Sequence, residues 1–352
     1  MSDERRGGLT EHPLYQMTLC RFKGFIREPE AVFWTFVFPV LMAAGLGLAF
    51  RQRGPDKPHI GVIGDSLTTP VLAAMRRDAT LVVEAYSDSA GAKALRTGKV
   101  AVLVAPSENG VKYIYDPGRG DATTAKLIAD RAIQNGAGRK DVVPASDSYV
   151  SEKGSRYIDF FLPGLLGMNL MGSGIWGIGF AIVTARSQKL LKRYMATPMK
   201  RSHYLLSFLL SRFIFLILEV ATLLAFGHYV FGVPLRGSPV ALAVICVLSA
   251  FAFTSIGLLV ATRATTTEGV SGLMNFVMLP MWILSGVFFS SANFPSAVQP
   301  FIKALPLTAV NDALRANMLE GASLAAVGPE LLIIVAWMVV GFAVALKIFR
   351  WR

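Results

Sequence analysis

Arg186-Ser-Gln-Lys-Leu-Leu-Lys-Arg-Tyr-Met-Ala-Thr-Pro-Met-Lys-Arg201 is wedged between two long apolar runs. Residues 160–185 before it carry no charge, and residues 204–233 after it are apolar apart from Arg212, Glu219 and His228. Two neighbouring runs of membrane length need a connection on one face of a bilayer. A connection this dense in Lys and Arg belongs on the cytoplasmic face. Leu190, Leu191, Tyr194 and Met195 recur at helical spacing and give a short helix an apolar face. Lys189, Lys192 and Arg193 flank that face, and Thr197-Pro198 ends the helix. Residues 186–201 therefore predict an amphipathic helix beneath the membrane. Such a helix either lies among anionic headgroups or plugs into a groove on a cytoplasmic partner. The residues by themselves leave both readings open.

The whole chain agrees with a membrane setting. Its 352 residues are 53% hydrophobic, and the mean hydropathy is +0.50, too apolar for an ordinary water-soluble globule. A net charge of +12 raises nucleic acid as a partner. Much of the Lys and Arg, however, stands beside the ends of apolar runs, where orientation and anionic lipid account for it. Nucleic acid is excluded on that ground. Cys20 and Cys246 have no partner at metal-ligand spacing, and His12, His59, His203 and His228 are scattered, so disulfide, zinc and His-cluster chemistry all fail.

Working outward, residues 1–30 turn from polar to amphipathic. Leu14, Met17, Leu19, Phe22, Phe25 and Ile26 roughly share a face while Arg21, Lys23 and Arg27 line the rest, the pattern of a helix lying in the membrane plane. Residues 31–50 follow without a charge, longer than a signal peptide's apolar core and lacking a small-x-small cleavage site. They predict an uncleaved first span kinked at Pro39. Residues 51–157 alternate short strands with short helices, a small α/β domain. Strands are expected at 59–64, 80–86, 99–105 and 111–115 and helices at 71–77, 89–96 and from a cap at Asp121 to about Asn135, closed by Gly136. Five more spans are predicted at 160–185, 204–232, 239–262, 270–289 and 327–349, so 158–352 forms the rest of a six-span helical bundle. Residues 290–326, broken by prolines, predict two short helices that dip partway into the bilayer from outside. Arg21, Lys23, Arg27, the central basic cluster, Arg263, Lys347, Arg350 and Arg352 all fall on one side of this threading. Both termini are then cytoplasmic and the α/β domain is outside.

The chemistry offers one decoy. Gly172-Ser-Gly174-Ile-Trp-Gly177 spells G-x-G-x-x-G, but it sits mid-span rather than between a strand and a helix. Small residues there let membrane helices approach closely. No P-loop motif occurs, nor a nucleophile elbow, nor an H-E-x-x-H. An enzyme is not expected, and no cofactor is expected on this chain. Ionisable residues within spans mark pathways or interfaces. Arg212 and Glu219 stand two turns apart on one helix face, either as an internal ion pair or as pathway residues. Asn169 and Asn275 are weaker candidates of the same kind, expected as glue between helices.

Three segments in order carry a family likeness. Arg27-Glu28-Pro29 before span 1 resembles the connecting helix of ABC-2 type (type V-like) ABC exporters. Leu191-Lys-Arg-Tyr-Met-Ala-Thr-Pro198 is similar to that family's coupling helix. Leu279-Pro-Met-Trp-Ile-Leu-Ser-Gly286, with Pro280, Ser285 and Gly286, together with Leu305-Pro-Leu-Thr-Ala-Val-Asn-Asp-Ala-Leu-Arg315, with Pro306 and Arg315, resembles its fifth span and outer re-entrant region. A large outer domain between spans 1 and 2 marks a subgroup. The sequence departs from the pattern where the family often has Arg-Glu-x-Gly: here Ser187 and Lys189 stand instead.

The resemblance implies the permease subunit of an ATP-driven exporter in a bacterial cytoplasmic (inner) membrane. A second permease copy or paralogue and separate ABC ATPase subunits would be its partners, with ATP and Mg held on the latter and an amphipathic, drug-like or lipid-like substrate moved outward. It also favours partner docking for residues 186–201. The rival readings are a membrane-anchored sensor or assembly factor whose outer domain binds a ligand, and an ion- or proton-coupled carrier using Glu219.

Overall fold

A computed structural model describes residues 12–50, 57–64, 70–107, 110–139, 156–188, 201–264 and 266–348. It contains two compact units, Gln52–Val150 and the remainder, Met1–Arg51 with Ser151–Arg352.

The smaller unit is a four-stranded sheet of β1 (His59–Ile63), β2 (Val82–Tyr86), β3 (Val102–Ser107) and β4 (Gly110–Ile114), in the order β2-β1-β3-β4. β1 lies parallel to both β2 and β3, with Ile60 opposite Val83 and Val102, and β4 turns back antiparallel on β3. Parallel pairing needs crossovers, and α3 (Pro70–Arg77) and α4 (Asp88–Arg96) follow β1 and β2 in that role. Ile60, Val102 and Val104 pack with Met75 of α3 and with Ala125, Ala129 and Ala132 of α5 (Gly120–Gly136). On the other side Leu103 packs with Ala94 of α4. Tyr113 donates to Asp130 at 2.9 Å; burial, and then that bond, pushes its phenol pKa up.

Two details of this unit differ from the sequence reading. Asp121 does not cap α5: Arg119 occupies the N-cap position and Asp121 lies in the first turn. There the helix dipole favours its charge, Arg119 Nη2 meets it at 2.6 Å, and that bond holds the carboxyl below its ordinary pKa. The helix ends at Gly136 as expected, but the left-handed turn lies two residues on, at Gly138 with φ 95°.

In the larger unit α1 (Pro13–Ile26) begins at a His12 N-cap with Pro13 in the first turn. α2 (Pro29–Ala49) follows after Arg27 and Glu28. Its turns widen to π geometry over Phe33–Val37, immediately before Pro39. α6 (Tyr157–Ser187), α7 (Arg201–Phe231), α8 (Pro239–Arg263), α9 (Thr267–Leu284) and α12 (Gly328–Ile348) are the remaining long helices. α6 is the centre of the bundle: Phe161, Leu162, Leu165, Leu166, Leu170, Met171 and Ile175 along it are all fully buried.

Glycines set the approach of α6 to α8. A Cβ on Gly174 would stand 2.7 Å from Phe253, and one on Gly179 would stand 2.9 Å from the Gly257 carbonyl. Of the G-x-G-x-x-G letters Gly174 lies in this seam, as expected of a small residue between membrane helices, while a Cβ on Gly177 would meet nothing within 4 Å.

Among the described residues, five helices are long and apolar enough to cross a membrane: Pro29–Ala49, Tyr157–Ser187, Leu210–Phe231, Pro239–Arg263 and Gly328–Ile348. The predicted span at 270–289 is shorter as a helix. α9 stops at Leu284, because Gly286 adopts φ 69° and turns the chain away. Residues 290–326 hold two 3₁₀ turns, then α10 (Gln299–Ala304) and α11 (Pro306–Arg315). A π turn over Ala316–Glu320 ends at Gly321, φ 75°.

Candidate functional site

A chain of polar contacts runs through the interior of the helical unit. Glu219 of α7 is 2% exposed. Arg212, seven residues earlier on the same helix, meets it through Nη1–Oε1 at 3.3 Å. Ser173 of α6 joins the two: its hydroxyl lies 2.9 Å from Glu219 Oε2 and accepts from Arg212 Nη2. The same hydroxyl stands 2.8 Å from the Asn169 carbonyl. A hydroxyl owns one proton, so Ser173 donates either to Glu219 or to its own helix. Among the described residues, none offers buried Arg212 Nε a hydrogen bond.

The network ends at α2. Asn169 Nδ2 donates to the Thr35 carbonyl at 3.3 Å. That carbonyl is the one Pro39, having no N–H, cannot serve in a helical i to i−4 bond. Unpaired backbone inside a membrane is costly, and here Asn169 of a neighbouring helix offers that carbonyl a donor. Asn169, Arg212 and Glu219 are therefore brought together. Asn275 is not: it is exposed on α9.

A second cluster holds the segment after α9 against α6. Arg315 Cζ stands over the Phe160 ring, 3.9 Å from its centroid, and the guanidinium donates to the Phe160 carbonyl at 3.3 Å and to the Gly286 carbonyl. Asn311, fully buried, donates to the Ser285 carbonyl at 2.8 Å. Ser285 and Pro306 are buried, and Pro280 is exposed on α9. Tyr157 adds a bond to the Phe288 carbonyl at 3.0 Å. Ser285 and Gly286 are thus held through their carbonyls by side chains of α11.

Of the basic segment, the structure describes the two ends. Arg186 donates to the Ala261 and Ala264 carbonyls at 3.4 and 3.3 Å, satisfying the C-terminal end of α8. Lys189, Leu190, Leu191, Arg193, Tyr194, Thr197 and Pro198 lie outside the described residues.

Sequence reasoning passed over Ser173, Thr35 and Asn311. Ser173 stands one helical turn after Asn169 and inside the small-residue motif, a signal for packing rather than for polar contact. Thr35 acts through its backbone, and Pro39 four residues on was the only mark of it.

A family model described as "ABC-2 family transporter protein" matches residues 30–347. Two curated proteins are each 27% identical to the chain over 173 residues: the "Inner membrane transport permease YhhJ" of Escherichia coli (strain K12) and that of Shigella flexneri. The aligned stretch covers 49% of this chain and 46% of each relative, so the chain spans about half the length of the curated relatives it matches. With five described helices of crossing length and a family match from residue 30 to residue 347, the chain is a multi-pass membrane protein that belongs to the ABC-2 family of transporter proteins.

Proposed function

We propose that this chain is the permease subunit of an ATP-driven exporter in the bacterial cytoplasmic membrane. The family match over residues 30–347 carries the reading, and the printed name of the curated relatives, inner membrane transport permease, agrees with it. In this reading α9 is a sixth crossing, both termini are cytoplasmic, and the α/β unit faces outward. Two permease subunits pair, and separate ATPase chains hold ATP and Mg. Residues 186–201 dock on those chains, with Leu190, Leu191 and Tyr194 seated in the ATPase and Lys189, Arg193, Thr197 and Pro198 framing them.

Closure of the ATPases on ATP moves that segment. The motion reaches α6 and α7, which it joins in sequence, and therefore the Ser173–Arg212–Glu219 cluster between them. The substrate is amphipathic, drug-like or lipid-like, because a path between membrane helices opens to the bilayer.

The test is co-purification. The tagged chain is isolated from its own membrane, and P-loop ATPases are identified by mass spectrometry. Leu191→Asp with Tyr194→Asp removes the ATPase while the chain stays in the membrane at its ordinary level. Undiminished ATPase recovery with that variant overturns the assignment.

A further inference from the structure

The elbow between α1 and α2 borders an open crevice of about 490 Å³, with Phe215 and Leu218 of α7 on its third side, and every residue lining it is apolar. Its floor is aromatic. Phe25 and Phe215 have ring centroids 4.2 Å apart, Phe22 stacks on Phe215 at 5.5 Å, and Phe36 meets Phe25 edge-on at 6.3 Å. α1 is tied to α7 beside it by Arg21 Nε donating to the buried Ser207 hydroxyl at 3.0 Å. Two cations stand next in sequence to the lining residues Phe22 and Ile26: Lys23 in the last turn of α1 and Arg27 at its C-cap, both exposed. With Arg21, these cations outnumber Glu28 and Glu30 at the same elbow.

A hydrocarbon crevice with cations next to its lining complements an amphiphile with an apolar tail and an anionic head. A second protein helix would meet the apolar floor equally well but would leave the lysine and arginine unanswered. A tail entering from the bilayer stays in hydrocarbon, so the crevice gains nothing from hydrophobic transfer. Retention must come from packing on the phenyl rings and from pairing of the phosphate with those cations. We propose that this crevice binds one acyl chain of an anionic phospholipid of the surrounding bilayer, with its phosphate held by Lys23 and Arg27. The lipid is a fixed part of the elbow and wedges α1 against the first span. The inference rests on the chain's being a membrane protein, not on the direction or cargo of transport.

The test uses the full chain in lipid nanodiscs of phosphatidylcholine. A trace of phosphatidylglycerol or of phosphatidylcholine carries a diazirine in its acyl chain, and adducts are mapped by mass spectrometry. The exposed apolar face of α12, at Leu332, Val340 and Leu346, is the internal standard for ordinary bilayer contact. The phosphatidylglycerol probe labels the Phe22–Phe36 stretch roughly tenfold over α12, and the phosphatidylcholine probe does not. Lys23→Gln with Arg27→Gln abolishes that preference. On the unaltered protein, 0.5 M salt weakens it by screening, which keeps the test independent of how the variant folds. Equal labelling of both faces by both probes overturns the proposal, as does a cross-link showing that a second copy fills the crevice.

Discussion

The Asn169 amide donates to the Thr35 carbonyl across 3.3 Å, four residues before Pro39, which has no N–H to offer it in an α-helical bond. A helix interrupted by proline in the first crossing is thus completed by a side chain from the second. The two positions are energetically one feature, and their substitutions are not additive.

Asn169→Leu is expected to lower the unfolding free energy by about 0.5–2 kcal/mol, the range for polar contacts between membrane helices. Restoring the helical donor with Pro39→Ala recovers part of that loss in the double variant. Unfolding in mixed detergent, followed for both singles and the double, gives the coupling; strict additivity would contradict it.

Glu219→Gln keeps the shape of the side chain and removes the charge that Arg212 faces at 3.3 Å. If the cluster serves transport, this variant loses transport by a larger factor than it loses membrane expression. Parallel loss of the two quantities marks the pair as structural, the behaviour of a buried ion pair broken on one side.

Arg315 combines a cation–π contact over Phe160 with hydrogen bonds to the Phe160 and Gly286 carbonyls. A lysine offers neither the plane nor the fork, so Arg315→Lys destabilises the segment after α9 almost as much as Arg315→Ala. Gly286→Ala must adopt φ 69°, which costs about 1–2 kcal/mol. Hydrogen exchange over residues 285–315, read on each variant, checks both statements.

Gly167 and Gly177 are ten positions apart on α6 and meet opposite surroundings. A Cβ on Gly167 would overlap Asn311 Oδ1, whereas one on Gly177 has nothing within 4 Å. Gly167→Ala sharply lowers the yield of monodisperse protein, while Gly177→Ala keeps or raises it by virtue of alanine's helix propensity. Fluorescence-detected size exclusion separates the two cases.

These residues show what could be read from sequence. The long apolar runs were legible because crossing a membrane demands length and apolarity together. The alternation of strands and helices at 59–136 was legible from period and turn residues. The Arg212–Glu219 pair was legible because two turns of helix bring its members to one face. Contacts made through backbone were not. Thr35 and Gly286 act by their carbonyls, which every residue type carries alike. The end of α9 was misplaced for a related reason: Val287, Phe288 and Phe289 continue the apolar run, but Gly286 had already turned the chain. Asp121 was misplaced because an acidic residue suits both the cap and the first turn.

Lys and Arg orient the chain in this account, and one labelling experiment reads that orientation directly. In a background of Cys20→Ser and Cys246→Ser, a single cysteine replaces Lys189 in one variant and the exposed Ser89 of α4 in another, and intact cells are treated with a membrane-impermeant thiol reagent. The account predicts that cysteine at 89 reacts on whole cells and that cysteine at 189 reacts only after the cells are opened. Labelling at 189 from outside, with 89 protected, contradicts it.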